Sequence, residues 1–224
     1  MFRRMLCLGG LLAVATLGTV ATAQAEPHWY KNGVVLPEEA GTTNTEGTPV
    51  ISWGNLILET KTVGLMVCSN AFGAQVFNPI GGGAGEGKVE SFAVWNCTSE
   101  ECEVVLKSKL EIRPEGLTKF GFWESKLFEE AGVQRLRVGN KTAGDPHQIK
   151  FLILCEGIER INTPTRGELT PKVKNGHALS APSKVEFGEG SGELELAGVK
   201  EGKVFGSLKI MGYVGNEIIN VQNP

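Results

Sequence analysis

Aspartate is almost missing from this chain: of its 25 acidic residues, Asp145 is the only Asp. Calcium loops and many phosphoryl-transfer sites rely on Asp at fixed spacings, so neither can be written locally here. Histidine is scarce as well. His28, His147 and His177 lie far apart, with no two at metal-ligand spacing, so no zinc motif can be read along the chain. Basic charge is not in excess either: 22 Lys and Arg against 25 acids give −3. Such a chain lacks the cationic footprint that nucleic acid or anionic lipid requires. No block of like charge stands out, and the nucleophile-elbow pattern G-x-S-x-G does not occur. After residue 25 no apolar run approaches the ~20 residues that span a bilayer.

What is there begins with an address. Arg3 and Arg4 precede an uncharged apolar stretch from Met5 to Val20, and Ala23-Gln24-Ala25 forms an A-x-A cleavage site. These are the three regions of a secretory signal peptide. The expected organisation is a signal peptide over 1–25, an N-terminal hairpin arm and loop over 26–48, and one β-rich domain over 49–224. The expected destination is extracellular, with no membrane insertion after signal cleavage.

Cleavage removes Cys7 and leaves Cys68, Cys97, Cys102 and Cys155. An even count in an exported chain reads as two disulfides. Three pairings are possible. The favoured one joins Cys97 to Cys102 around a tight loop, and Cys68 to Cys155 at the ends of two apolar runs. A four-cysteine metal site has no C-x-x-C to support it, and no cysteine is left over for catalysis.

Alternation dominates the rest. Leu106, Ser108, Leu110 and Ile112 face away from Lys107, Lys109, Glu111 and Arg113, which predicts a half-buried strand over 104–113. Residues 89–95 predict another, with Val89, Ala93 and Trp95 on one face and Phe92 and Val94 on the other. Residues 151–154 are apolar throughout, as in a central strand covered on both sides. Lys203 to Val214 reads as a long strand. Asn32-Gly33 signals a hairpin, and Gly139-Asn140, Asn175-Gly176 and 188–192 signal turns. Residues 123–131 fit either a short helix or a strand. With 30 glycines, the fold class is all-β: an antiparallel sandwich or barrel with two disulfides and little helix.

Few motifs carry chemistry. Gly82 to Val89 nearly matches the phosphate-cradling G-x-x-x-x-G-K-[ST], but Val89 replaces the required hydroxyl and a strand pattern follows where a helix should start. A flexible strand connection is the expectation. Asp145 and His147 stand two apart around Pro146 without a marked serine. Glycoside hydrolysis needs two carboxylates, and the many Glu residues single out no pair. Of the tryptophans, Trp53 and Trp95 sit in strand patterns and are expected in the core. Trp29, beside His28 and Tyr30 near the end of the mature chain, is the best candidate for an exposed stacking face. Trp29 and Tyr30 are therefore the candidate ligand-binding residues.

Several segments together carry a resemblance: His28-Trp29-Tyr30-Lys31-Asn32-Gly33, Val50-Ile51-Ser52-Trp53-Gly54, Asn78 to Gly87, Glu168 to Gly176, Gly190-Ser191-Gly192-Glu193-Leu194 and Met211-Gly212-Tyr213. Over most of its mature length the chain resembles a group of uncharacterised secreted proteins of soil-type actinobacteria. The resemblance implies export and a single domain. It brings no assigned activity and no catalytic residues to transfer. The reading is a non-enzymatic extracellular binding or surface-associated module, with no cofactor or metal implied and a glycan or a protein as partner. The alternative is an extracellular glycan hydrolase using paired Glu residues.

Overall fold

The computed structural model describes residues 26–41, 47–105, 109–115, 122–140, 144–145, 147–157, 161–176, 181–214 and 217–223. The signal segment lies outside these. The strands are β1 (His28–Lys31), β2 (Val34–Val35), β3 (Glu38–Glu39), β4 (Thr48–Thr60), β5 (Gly64–Pro79), β6 (Glu86–Ser99), β7 (Lys109–Glu115), β8 (Trp123–Glu130), β9 (Val133–Gly139), β10 (Ile149–Glu156), β11 (Ile161–Leu169), β12 (Lys172–Lys174), β13 (Lys184–Phe187), β14 (Glu193–Leu196), β15 (Val199–Gly212) and β16 (Ile219–Gln222). The fold is almost all β, as the alternation predicts.

The strands close into an eight-stranded antiparallel barrel. Its wall runs β4-β5-β6-β8-β9-β12-β13-β15 and closes where β15 pairs with β4 over ten registered positions from Lys203↔Glu59 to Gly212↔Val50. Toward the other end β11 and β14 continue the wall strands begun by β12 and β13, bending at Thr170-Pro171 and at 188–192. There β11 carries β10, and β10 carries β7. Closure bends the sheet sharply. A side chain at Gly54 would stand 2.1 Å from the Ser207 carbonyl oxygen, so only glycine lets β4 and β15 approach there.

Segment 123–131 resolves as a strand and its turn. Trp123, Ser125 and Leu127 are buried in alternation with exposed Glu124 and Lys126, a period of two that a helix cannot match. Ala131 and Gly132, at φ 51° and 75°, make the two-residue hairpin turn to β9. The strand expected over 104–113 starts only at Lys109. Residues 101–105 form a short π-helical turn instead, which brings Cys102 inward. Residues 106–108 lie outside the described set. Leu110 is buried between exposed Lys109 and half-exposed Glu111, as alternation requires.

A bulge corrects the parity expected in β6. Gly73 pairs with Ser91 but Ala74 pairs with Val89, so one residue of β6 is extra. An extra residue flips the faces of everything beyond it. Val89 and Phe92, three apart, therefore both line the interior, while Trp95 points to the outside.

A three-stranded sheet, β16-β1-β2, caps one end of the barrel. Trp29, Ile219 and Val221 pack from it onto Val50, Val76, Leu127, Leu136 and Ile210. Trp29 and Val221 face each other across the β1–β16 ladder, and an asparagine side chain meets the backbone of each. The Trp29 N–H donates to Asn78 Oδ1 at 2.9 Å, and Asn78 Nδ2 donates to the carbonyls of Trp29 and Leu36 at 3.1 and 3.0 Å. The Val221 N–H donates to Asn175 Oδ1 at 2.9 Å, and Asn175 Nδ2 donates to the Val221 carbonyl.

The cysteine pairing differs from the one the spacing favoured. Cys68 joins Cys97, and Cys102 joins Cys155. Cys68 and Cys97 sit on adjacent strands at a second irregularity of the β5–β6 ladder, with Cα atoms 4.2 Å apart. Cys97 is still within β6, so it cannot turn back to Cys102; the helical turn instead carries Cys102 to fully buried Cys155 on β10. The two loops of 29 and 53 residues are each worth about 4 kcal/mol in a chain-entropy model.

Two outcomes are expected. Non-reducing peptide mapping of the oxidised protein should recover Cys68–Cys97 and Cys102–Cys155, and a Cys97–Cys102 peptide would contradict this register. Asn78→Ala should lower unfolding stability in urea by at least about 2 kcal/mol, because it strands buried backbone groups of the cap.

Candidate functional site

Alternation turns one residue in two of every wall strand toward the barrel axis, and nearly all of these are apolar. They do not fill it. A cavity of about 120 Å³ remains, lined by residues from almost every wall strand and by Trp29 of the cap. Its middle is aromatic. Phe72 and Phe92 lie 4.4 Å apart between ring centres, Phe151 stands 5.4 Å from Phe92, and Trp123 meets Phe151 edge-on at 5.6 Å. Among the described residues Ser52, Asn70 and Ser125 are the polar lining residues, and none of the lining carries a charge. Asn70 Nδ2 donates to the Cys68 carbonyl at 2.8 Å. An apolar cavity of about 150 Å³ in another protein stays dry and takes benzene or xenon. This interior is of the same order and chemistry.

The tryptophans exchange the places expected of them. Trp29 is 1 % exposed, not a surface face. Its indole Nε1 donates to the Glu86 carbonyl at 3.1 Å, and its ring closes one end of the cavity. The reason is that the arm is a cap strand, so the residue facing the barrel must be large and apolar. Tyr30, next along β1, points the other way and is half-buried. Trp53 and Trp95, expected in the core, are 37 % and 45 % exposed on the outer wall. Their register explains it. Trp53 faces Ala71, which faces Ala93, while Trp95 faces Ser69, which faces Asn55. The two indoles thus stand at opposite corners of a shelf of small side chains. Strand spacing sets them on the order of 12 Å apart. On that shelf Ser69 Oγ donates to Asn55 Oδ1 at 3.1 Å.

The other candidate chemistry separates in space. Asp145 accepts the His147 backbone N–H at 2.7 Å and lies 3.1 Å from its ring Nδ1, while the ring stacks on Phe122. That is a held imidazole, and no nucleophile is described beside it. His28 lies on β1 and His177 falls outside the described residues. Among the described residues no three metal-ligating side chains gather. Lys88 of the glycine-rich segment is a buried strand residue, with its ammonium 5.0 Å from the Phe122 ring centre. Residues 80–85 are a connection between β5 and β6, which is what the broken phosphate motif predicts. Glu111 is held below the usual carboxylate range by the hydrogen bond from Arg113, against the smaller effect of burial. A general acid needs the opposite shift.

Sequence reading missed Trp123, Phe72 and Phe151 as site residues. The inward alternation of Phe92 and Val94 was a partial signal; the strand partners were not visible without the register.

Comparison with protein-family models, with curated proteins and with solved structures finds no match. The chain's own geometry is therefore what bears on function. Its two disulfides are typical of proteins outside the reducing cytoplasm. Among the described residues no helix is long and apolar enough to cross a membrane.

The reversed tryptophans make a test. Trp29→Ala should cost about 3–5 kcal/mol in urea unfolding, as for a large buried aromatic. Trp53→Ala should stay within about 0.5 kcal/mol. Equal costs would contradict this placement.

Proposed function

We propose that this chain is an exported, non-enzymatic binding protein whose site is the interior of the barrel, where it takes a compact apolar molecule. One observation carries the reading: a void inside a closed barrel, walled by aromatic and aliphatic side chains and free of charge. Apolar lining with a few polar groups is the usual make-up of small-molecule sites. The cap supports it, because a sealed end excludes water from whatever the barrel holds. Export rests on the Arg3-Arg4 start, the apolar stretch and the Ala23-Gln24-Ala25 site, together with the two disulfides and the resemblance to secreted actinobacterial proteins. The hydrolase alternative needs two carboxylates facing across a concavity, and among the described residues no Glu lines this one.

A cavity of about 120 Å³ sets the size of the guest: a single six-membered ring. Toluene added to the oxidised protein should raise its melting temperature in a saturable way. Ala74→Leu, which puts a larger side chain into the wall, should abolish that rise at a stability cost of about 1–3 kcal/mol. An unchanged response in Ala74→Leu would place the binding elsewhere.

The outer wall supports a second reading. Two exposed indoles over a shelf of Ala71, Ala93, Ser69 and Asn55 offer stacking faces with hydrogen-bonding groups between them, the needs of a sugar ring. A glycan array probed with the protein should give hits that the Trp53→Ala/Trp95→Ala double variant loses. Hits retained by that variant would remove the wall from consideration.

A further inference from the structure

We infer that the interior site selects for a single hydrogen-bond acceptor: its guest is a compact apolar body bearing one carbonyl-type oxygen, and Trp123 Nε1 is the donor that meets it. The inference rests on the reading of the cavity as a binding site and adds the chemical class of the ligand.

Trp123 is fully buried and lines the cavity. Among the described residues its Nε1 has no hydrogen-bond partner. The contrast with Trp29 is direct, since the other indole of the interior gives its hydrogen to a backbone carbonyl. Trp123 shares a hydrophobic cluster with Val89, Ile149, Leu169, Leu194 and Val204. Phe92 and Phe151 are its aromatic neighbours, at 6.0 and 5.6 Å between ring centres. None of these side chains offers a lone pair. Burying such a donor unmade is costly, a cost that phenylalanine in the same place would avoid. Stranded donors in native proteins are rare and ask for a reason. An acceptor arriving in the cavity supplies one.

The surroundings also limit what that acceptor is. Water in a buried site needs two to four polar partners, and the hydrophobic cluster to which Trp123 belongs offers none. An acid or amine would bury a charge in a lining whose polar side chains, besides Trp123, are only Ser52, Asn70 and Ser125 among the described residues. A ketone, aldehyde or ester oxygen needs only one donor, and its carbon frame matches the wall.

The test uses two guests of one shape: cyclohexanone, and methylenecyclohexane, which has CH₂ in place of the oxygen. Both are titrated into oxidised wild-type protein and Trp123→Phe by calorimetry. Taking the ratio of the two affinities within each protein cancels the different hydration of the guests. That ratio should fall about tenfold in favour of the hydrocarbon when Trp123 becomes Phe. In wild-type protein, ¹⁵N-labelled indole spectra should show the Trp123 Nε1–H resonance moving downfield with cyclohexanone and not with methylenecyclohexane. The wild-type spectra decide the matter even where Trp123→Phe does not fold. Binding of both guests with an unchanged ratio and a stationary indole resonance overturns the selectivity and leaves the apolar site standing. Binding of neither guest overturns both.

Discussion

Two carboxamides hold the cap on this barrel. Across the β1–β16 ladder Trp29 and Val221 stand opposite one another, and at such a position the backbone groups of both point away from the shared ladder. The Trp29 carbonyl takes the Leu36 N–H at 3.0 Å on its outer side, but the Trp29 N–H and both groups of Val221 would be left open. Asn78 and Asn175 fill those places, presenting an oxygen and an N–H to a strand residue much as a neighbouring strand would. Ser183 Oγ in turn donates to Asn175 Oδ1 at 2.8 Å. Without these side chains the buried edges of the cap are unsatisfied. With them a short three-stranded sheet can lie across the mouth of a larger one and keep Trp29 at its centre.

What the cap seals is as telling as how it is held. A barrel of eight strands has an interior only just filled by side chains, so modest departures from good packing leave a void. Here the void coincides with the aromatic girdle of Phe72, Phe92, Trp123 and Phe151. The bulge in β6 helps set that girdle. By inserting one residue between Val89 and Phe92 it turns both inward, and the same shift leaves Trp95 outside beside Trp53. One irregularity thus populates both the interior and the outer platform. Binding at either place calls on rigid wall positions and not on loops.

The fold class was legible in the sequence because alternation is a local property. Leu110 with Ile112, the Asn32-Gly33 turn and the 151–154 run all read correctly from their neighbours. What failed was parity and partnership over distance. Val89 and Trp95 looked alike in phase until the bulge intervened. Trp29 looked like a terminal, exposed residue because nothing near it in sequence reveals that β16 and Asn78 will receive it. The cysteines misled in the same way: closeness along the chain favoured Cys97 with Cys102, while register across β5 and β6 decided for Cys68. Trp123 sat in a segment equally compatible with a helix, and its stranded N–H is a property of the assembled interior alone.

The cap joins the first described strand to the last. Closing it requires a contact that spans almost the whole polypeptide, the slowest kind to form because so much chain must be brought together first. The β4–β5 and β5–β6 hairpins have no such requirement, but the seam of the wall does, since β15 pairs with β4 from Lys203↔Glu59 to Gly212↔Val50. Seam and cap therefore depend on the same late stretch of chain, β15 and β16, and the tube and its lid close together.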